Sequence, residues 1–329
     1  MNIKFSKSLT APIYLMVSTS AVILSPQSLA VECFDTINSP TTLTENLLCE
    51  LTPENPYALT ITGPSGNLYM SGDGGITCIG EAGETGQFGI MVEGTSRQVI
   101  GGSVENCPGG ILVAGSGLHS ILHTQITNFL LDDGIRAESN NNLIQGNIIT
   151  SNGVDGDDGI DASGDFTTVT QNIINGAGDE GIEINGASAS IIQNYTAGSD
   201  DDGIDLNRSG ATISFNISEN NDGGGIVING NNSYISQNIA SNNGDDGIEI
   251  SDSGSSNTIL QNTVQYNGDQ GIYIEQSGSV DNVIRGNIST DNVGFDLLDP
   301  FADPTCTNLN NTWSSNTANT SDPDCLRFL

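Results

Sequence analysis

Apolar and polar residues alternate in short runs along most of the chain, and the runs recur at a fixed interval. The clearest copies read G-D-D-G-I-D-A at 156–162, G-D-E-G-I-E-I at 178–184, D-D-D-G-I-D-L at 200–206, D-G-G-G-I-V-I at 222–228 and G-D-D-G-I-E-I at 244–250. The glycine before each isoleucine stands at 159, 181, 203, 225 and 247, a period of 22. A constant period of this size marks stacked structural units. Further markers extend the series from Gly89-Ile90 to Gly294-Phe295, with spacings of 21 to 25. Each marker opens a period-two pattern, the signature of a strand with one buried face. One inward column runs from Ile90 through Ile160 and Ile248 to Phe295, and a second, two residues on, from Val92 through Ile184 to Leu297. Two more strand-like runs follow in each coil, such as Asn142-Leu143-Ile144 and Asn147-Ile148-Ile149. The prediction is an all-β solenoid with three strands per coil of about 22 residues. No window sustains a helical apolar period.

The flanks differ from this core. Residues 1–30 have the build of a cleavable targeting segment: Lys4 and Lys7, an apolar run from Ala11 to Leu24, and small residues up to Ala30, after which cleavage is expected. Residues 31–85 are less regular and proline-punctuated, and are expected to form an N-terminal cap and a first irregular coil. The repeats fill 86–298, and 299–329 form a C-terminal cap. No later stretch is apolar enough to predict a membrane span. A secreted or periplasmic location follows. Six cysteines in an exported chain are expected to form disulfides, paired locally as Cys33 with Cys49, Cys78 with Cys107 and Cys306 with Cys325.

Charge narrows the partners. Of seven basic residues two lie in the targeting segment, so against 40 acidic ones the exported chain carries 5 − 40 = −35. Such a surface repels nucleic acid. It also repels polyuronates unless cations intervene. The carboxylates stand in columns. Two residues before the marker glycine are Asp132, Asp157, Asp179, Asp201, Asp245 and Asp269; one before it are Asp133, Asp158, Glu180, Asp202 and Asp246. On the strand itself, pointing outward, are Asp161, Glu183, Asp205 and Glu249, with Arg136 below and Tyr273 above. Like charges stacked at strand spacing repel. Calcium, a hard cation that takes carboxylate oxygens, would relieve that repulsion in the strand column. For the column two before glycine, turn formation is the simpler origin, because Asp-Gly pairs shape turns. Tyr273 is also a candidate platform for a sugar ring, as is Trp313. The asparagines Asn147, Asn172, Asn194, Asn216, Asn238, Asn262 and Asn287 form their own column, expected to be an amide ladder up the axis.

The repeat I-x-x-N-x-x-x-x-N-x-x-x-G-I-x-I, as in residues 235–250, resembles the right-handed parallel β-helix family, which includes pectate lyases, polygalacturonases and NosD-type periplasmic proteins. The resemblance covers about residues 86–298 and implies the fold; one such scaffold carries many activities. Lyases of this build use calcium and a basic proton acceptor, which on this face would be Arg136. The companion motifs of polygalacturonases and the Asp-Pro-His-Glu motif of alginate epimerases are absent. A copper role has little to draw on, since only Met70, Met91, His119 and His123 remain. The expected function is interaction with an extracellular polysaccharide, assisted by calcium. The alternatives are a uronate lyase and a non-catalytic surface module.

Overall fold

The computed structural model describes residues 30–63, 65–80, 83–151, 156–251, 254–307 and 309–329. All but the last residue of the expected targeting segment lie outside the described residues.

Three parallel sheets run side by side through about twelve turns of a solenoid. The first holds 13 strands and the second and third 12 each, and each strand pairs with its equivalents one coil away. The marker strands, such as Ile160–Ala162 and Ile182–Ile184, build the first sheet in strict register, Ile160 against Ile182 and Ile182 against Ile204. Thirteen strands at a spacing of about 4.8 Å make this sheet roughly 58 Å long. The sheets extend beyond the markers at both ends. Asp35–Ile37 and Tyr57–Ile61 precede the first marker strand, and Ser321–Asp322 follows the last.

The core is the stack of inward columns. Ile160, Ile182, Ile204, Ile226 and Ile248 are fully buried, as are Ala162, Ile184, Leu206, Ile228 and Ile250 two residues on. The second sheet adds Ile144, Val169, Ile191, Ile213 and Ile235. The third sheet narrows the interior with Thr196, Ser218 and Ala240, all buried. The marker glycine is required by close approach rather than by backbone angle. A Cβ on Gly159 would lie 2.5 Å from Ile174 Cγ2 and 2.6 Å from the Gly181 carbonyl oxygen of the next coil. Gly159→Ala is expected to cost about 2 kcal/mol, within the range for overpacking a well-filled interior, read as a lower denaturant midpoint at unchanged slope.

One inward column ends differently from the sequence pattern. Phe295 is 39% exposed, and Leu297 pairs with Ile272 in its place. Asp296 explains the two-residue offset. Its buried carboxylate accepts hydrogen bonds from the backbone amides of Asn319 and Thr320, both at 2.9 Å, and from Asn292 Nδ2 at 3.0 Å. A carboxyl group with its hydrogen-bond donors waiting inside outweighs burial of the phenyl ring.

The asparagine column is a continuous ladder. Each Oδ1 accepts both the backbone amide and the Nδ2 of the preceding member, and each Nδ2 also reaches a backbone carbonyl. For Asn194 and Asn216 these distances are 2.8, 3.0 and 2.9 Å. The same pattern links Asn147, Asn172, Asn194, Asn216, Asn238, Asn262 and Asn287, and continues to Asn316. Two further corners carry partial ladders: Asn221-Asn243-Asn267-Asn292, built on the second asparagine of the repeat, and Asn282-Asn311.

Both ends are stapled. Cys33–Cys49 closes the first coil, Cys306–Cys325 the last, and Cys78–Cys107 ties two coils near the start. Trp313 is buried in the last turns, its Nε1 donating to Asp299 at 3.1 Å, so it offers no platform to a ligand.

Candidate functional site

The first sheet gathers the acidic columns on one side of the rod, because an in-register solenoid brings equivalent residues together at every coil. The column immediately before the marker glycine turns inward. Asp133, Asp158 and Asp246 are buried, and each accepts a backbone amide of the following coil: Asp133 from Asp158 N at 3.1 Å, Asp158 from Glu180 N at 3.1 Å, Asp246 from Gln270 N at 2.6 Å. Asp202 does the same to Gly224 N at 2.6 Å. These carboxylates therefore act as inter-coil braces. Gly223 makes room for this one, since a Cβ there would lie 2.7 Å from Asp202 Oδ1. Burial raises Asp133 and Asp246 to about 7 and Asp202 to about 6. Burial, then the hydrogen-bonded Glu180, pushes Asp158 far above the carboxylate range.

Apart from Asp132, which is buried beneath Arg136, the column two before glycine remains at the surface. Its members approach those of the adjoining coils closely enough to share an ion. Asp157, Asp158 and Asp179 form one such group, Asp179, Glu180 and Asp201 a second, and Asp245, Asp246 and Asp269 a third, each with ligand oxygens within 4.8 Å of one another. The four strand carboxylates proposed as calcium ligands stand in none of these groups. Three of them, Asp161, Glu183 and Asp205, are held by hydroxyl or amide groups that follow the marker strands. Ser163 Oγ donates to Asp161 at 2.7 Å, Asn185 Nδ2 to Glu183 at 2.6 Å, and Asn207 Nδ2 to Asp205 at 2.7 Å and to Glu183 at 3.1 Å. Asn229 Nδ2 reaches Asp205 at 3.0 Å. This support was readable as a polar residue directly after each of these marker strands: Ser163, Asn185, Asn207 and Asn229. Burial, then Asp202, lifts Asp205 to about 7; burial, then Asp246, lifts Glu249 to about 8. Asp161 and Glu183 are raised chiefly by burial as well. Tyr273 continues the same column beside Glu249 and is half-buried.

Arg136 begins that column and is surrounded by carboxylates. Its NH2 lies 2.6 Å from Asp132 Oδ1 and its Nε 2.6 Å from Asp133 Oδ2, with Asp157 and Asp161 at 3.8 and 3.9 Å. The Phe88 ring centre lies 5.7 Å from its guanidinium carbon. Burial works to lower its pKa, but Asp133, Asp132 and Asp161 together outweigh burial and raise it. Removing this cation leaves two buried carboxylates unpaired. Arg136→Gln is expected to destabilise the fold by about 2–3 kcal/mol at pH 8 and by less at pH 5, where Asp133 takes a proton instead; urea titrations at both pH values check this.

A family model described as right handed beta helix region matches residues 158–318, and one described as periplasmic copper-binding protein (NosD) matches residues 66–212. With the three-sheet coil, these matches place the chain in the right-handed parallel β-helix repeat family. No curated protein matches the chain. Among solved structures it is similar to the periplasmic alginate epimerase AlgG, at 15% identity and TM-score 0.64 over 84% of this chain and 76% of that one. It is also similar to the A-module of the Azotobacter vinelandii mannuronan C-5 epimerase AlgE6, at 12% identity and TM-score 0.67 over 86% and 89%. The catalytic unit of an α-1,3-glucanase from Streptomyces thermodiastaticus follows at 13% identity and TM-score 0.62, over 86% and 64%. At these identities the likeness is one of fold.

Copper does not fit the residues present. All six cysteines are in disulfides, and His119 Nδ1 accepts the Arg97 backbone amide at 3.1 Å. Among the described residues the groups able to hold an ion offer only carboxylate oxygens, a donor set for hard cations such as calcium.

Proposed function

We propose that this chain is an extracytoplasmic β-helix protein that holds a polysaccharide along its first sheet, with calcium at the turn carboxylates as the bridge to an acidic glycan. The observation that carries this reading is the division of labour among the columns. The buried carboxylates are occupied with backbone amides of the next coil, whereas Asp157, Asp179, Asp201, Asp245 and Asp269 stand exposed at coil spacing. Calcium bound there would supply positive charge to an otherwise acidic face. The chain's own residues would orient the glycan: Asn185, Asn207 and Asn229 fix the strand carboxylates, and Tyr273 offers a ring at the end of the column. Carbohydrate-acting proteins among the structural neighbours support the substrate class by analogy of fold.

Binding fits the geometry better than cleavage with Arg136 as the base. A proton acceptor needs a free lone pair, and four surrounding carboxylates hold this guanidinium protonated. An array of uronate and neutral glycans, probed with and without calcium, tests the reading. Calcium-dependent retention of a uronate glycan with no unsaturated product is the expected result. Failure to retain any glycan in either condition would remove the proposal, and appearance of the unsaturated product would convert it to a lyase.

A further inference from the structure

The charge of this rod is not evenly spread. The carboxylate columns lie along the first sheet, whereas the third sheet faces solvent with an apolar column. Its outward positions are Ile148, Ile173, Tyr195, Ile217, Ile239 and, after Thr263, Ile288, stacked one per coil in register. Ile148, Ile173, Ile239 and Ile288 are 40 to 46% exposed. The neighbouring outward column, from Thr127 to Thr290, carries one charge, Glu219, and that carboxylate accepts the Tyr195 hydroxyl at 2.9 Å. On its other side the stripe is bordered by the amides of Gln171 and Gln193, hydrogen-bonded to each other at 3.3 Å, and by the exposed ring of Phe215.

We propose that the outer face of the third sheet between Gln125 and Thr290 is a docking surface for a second copy of this chain, the two faces packing as a sandwich with the acidic sheets turned away from each other. Three considerations select that occupant. First, a chain of net charge −33 can approach its own copy closely only through a face that carries little of that charge. Second, eight strands at about 4.8 Å with flanking side chains give a surface of roughly 34 by 20 Å, near 700 Å², close to the ~800 Å² per partner of a standard stable interface. Third, a column of β-branched aliphatic side chains interdigitates with its own copy, as facing sheets do at about 10 Å separation. The stacked isoleucines also support their own sheet through contacts between coils, but that role does not require the neighbouring column to carry a single charge, Glu219.

The test is sedimentation velocity of the exported, processed chain from 1 to 100 µM in 0.02 and 0.5 M NaCl. A dimer with micromolar dissociation constant is expected at high salt, weaker at low salt because the like charge of the two copies is then less screened. Ile173→Thr with Ile239→Thr should weaken it at least tenfold. Threonine already occupies this position at Thr263, so the variant is compatible with the coil, and circular dichroism verifies that it is folded. Ala197→Arg, at the centre of the face, is a second and independent disruptor. A monomer at every concentration in 0.5 M salt would overturn the proposal. So would a dimer that neither variant weakens, or a monomer that retains a neutral glycan on this face.

Discussion

In a chelating buffer the protein is expected to melt about 5–10 °C lower at pH 8 than at pH 5, and calcium added at pH 8 should recover most of the difference. The buried carboxylates set the sign. Asp133, Asp205 and Asp246 are raised by burial from the ordinary 3.8 to about 7, Asp202 to about 6, and Glu249 from 4.5 to about 8. The folded chain therefore holds protons that the unfolded chain releases. Their stabilisation is fully present below about pH 4, declines progressively as pH rises above that, and is gone once pH has passed the folded values at about 6 to 8. One pKa unit is worth about 1.4 kcal/mol per group. Water and fanning of the side chains leave a net effect of a few kcal/mol, which for a domain of this size is the stated shift in melting temperature. His119 works in the opposite direction. Burial lowers its pKa, so its contribution is lost on acidification, but it is a single group against five. Calcium at the neighbouring turn carboxylates, as proposed above, would offset the repulsion among the ionised groups at pH 8 and would compete poorly with protons at pH 5. A melting temperature that is flat or rises from pH 5 to pH 8 in chelator would contradict this account. A calcium response confined to pH 8 would support it.

The fold was legible because a solenoid writes the same physical requirement once per coil. Ile160, Ile182 and Ile204 each answer the same inward position, and Gly159, Gly181 and Gly203 each answer the same close approach of the next coil. The asparagine column was visible for the same reason. The site was less legible, because a column of aspartates shows where charge accumulates and not which oxygen finds a partner. Asp158 and Asp157 are adjacent in sequence, yet one braces the next coil's backbone and the other faces solvent. The strand carboxylates looked free to bind an ion until the amides of Asn185, Asn207 and Asn229 were seen to reach them. Position 295 failed for another reason. A local hydrogen-bond set around Asp296 overrode the periodic pattern at the end of the stack, where no following marker enforces it.

Asn216→Leu should be among the most damaging single changes, costing about 4–6 kcal/mol. Asn216 is fully buried at the middle of the ladder. Its Oδ1 accepts Asn194 N at 2.8 Å and Asn194 Nδ2 at 3.0 Å; its own Nδ2 donates to Ile191 O at 2.9 Å and to Asn238 Oδ1 at 3.0 Å. Leucine keeps the branching and the number of heavy atoms, so no cavity opens and the main loss is of hydrogen bonding, to which its bulkier methyl groups add crowding. The Asn194 amide, one Asn194 side-chain proton and the Ile191 carbonyl are left without this partner inside the rod. At about 1–3 kcal/mol for each unsatisfied buried group, three such groups give the stated cost. Asn216→Asp separates the acceptor from the donor role. Its Oδ1 still serves Asn194, but an ionised second oxygen would face the Ile191 carbonyl and Asn238 Oδ1. That variant should be far more stable at pH 4 than at pH 8, because a protonated carboxyl restores one donor. Asn316 provides the contrast at the end of the column. It accepts from Asn287 N and Nδ2 and donates to Ile284 O at 2.9 Å, but it has no following asparagine and is 7% exposed. Asn316→Leu strips three equivalent groups, but at the end of the column, where water reaches them, so it is expected to cost less than Asn216→Leu. Urea unfolding of the three variants checks the ranking. If Asn216→Leu costs no more than Asn316→Leu, stability does not depend on the continuity of the ladder.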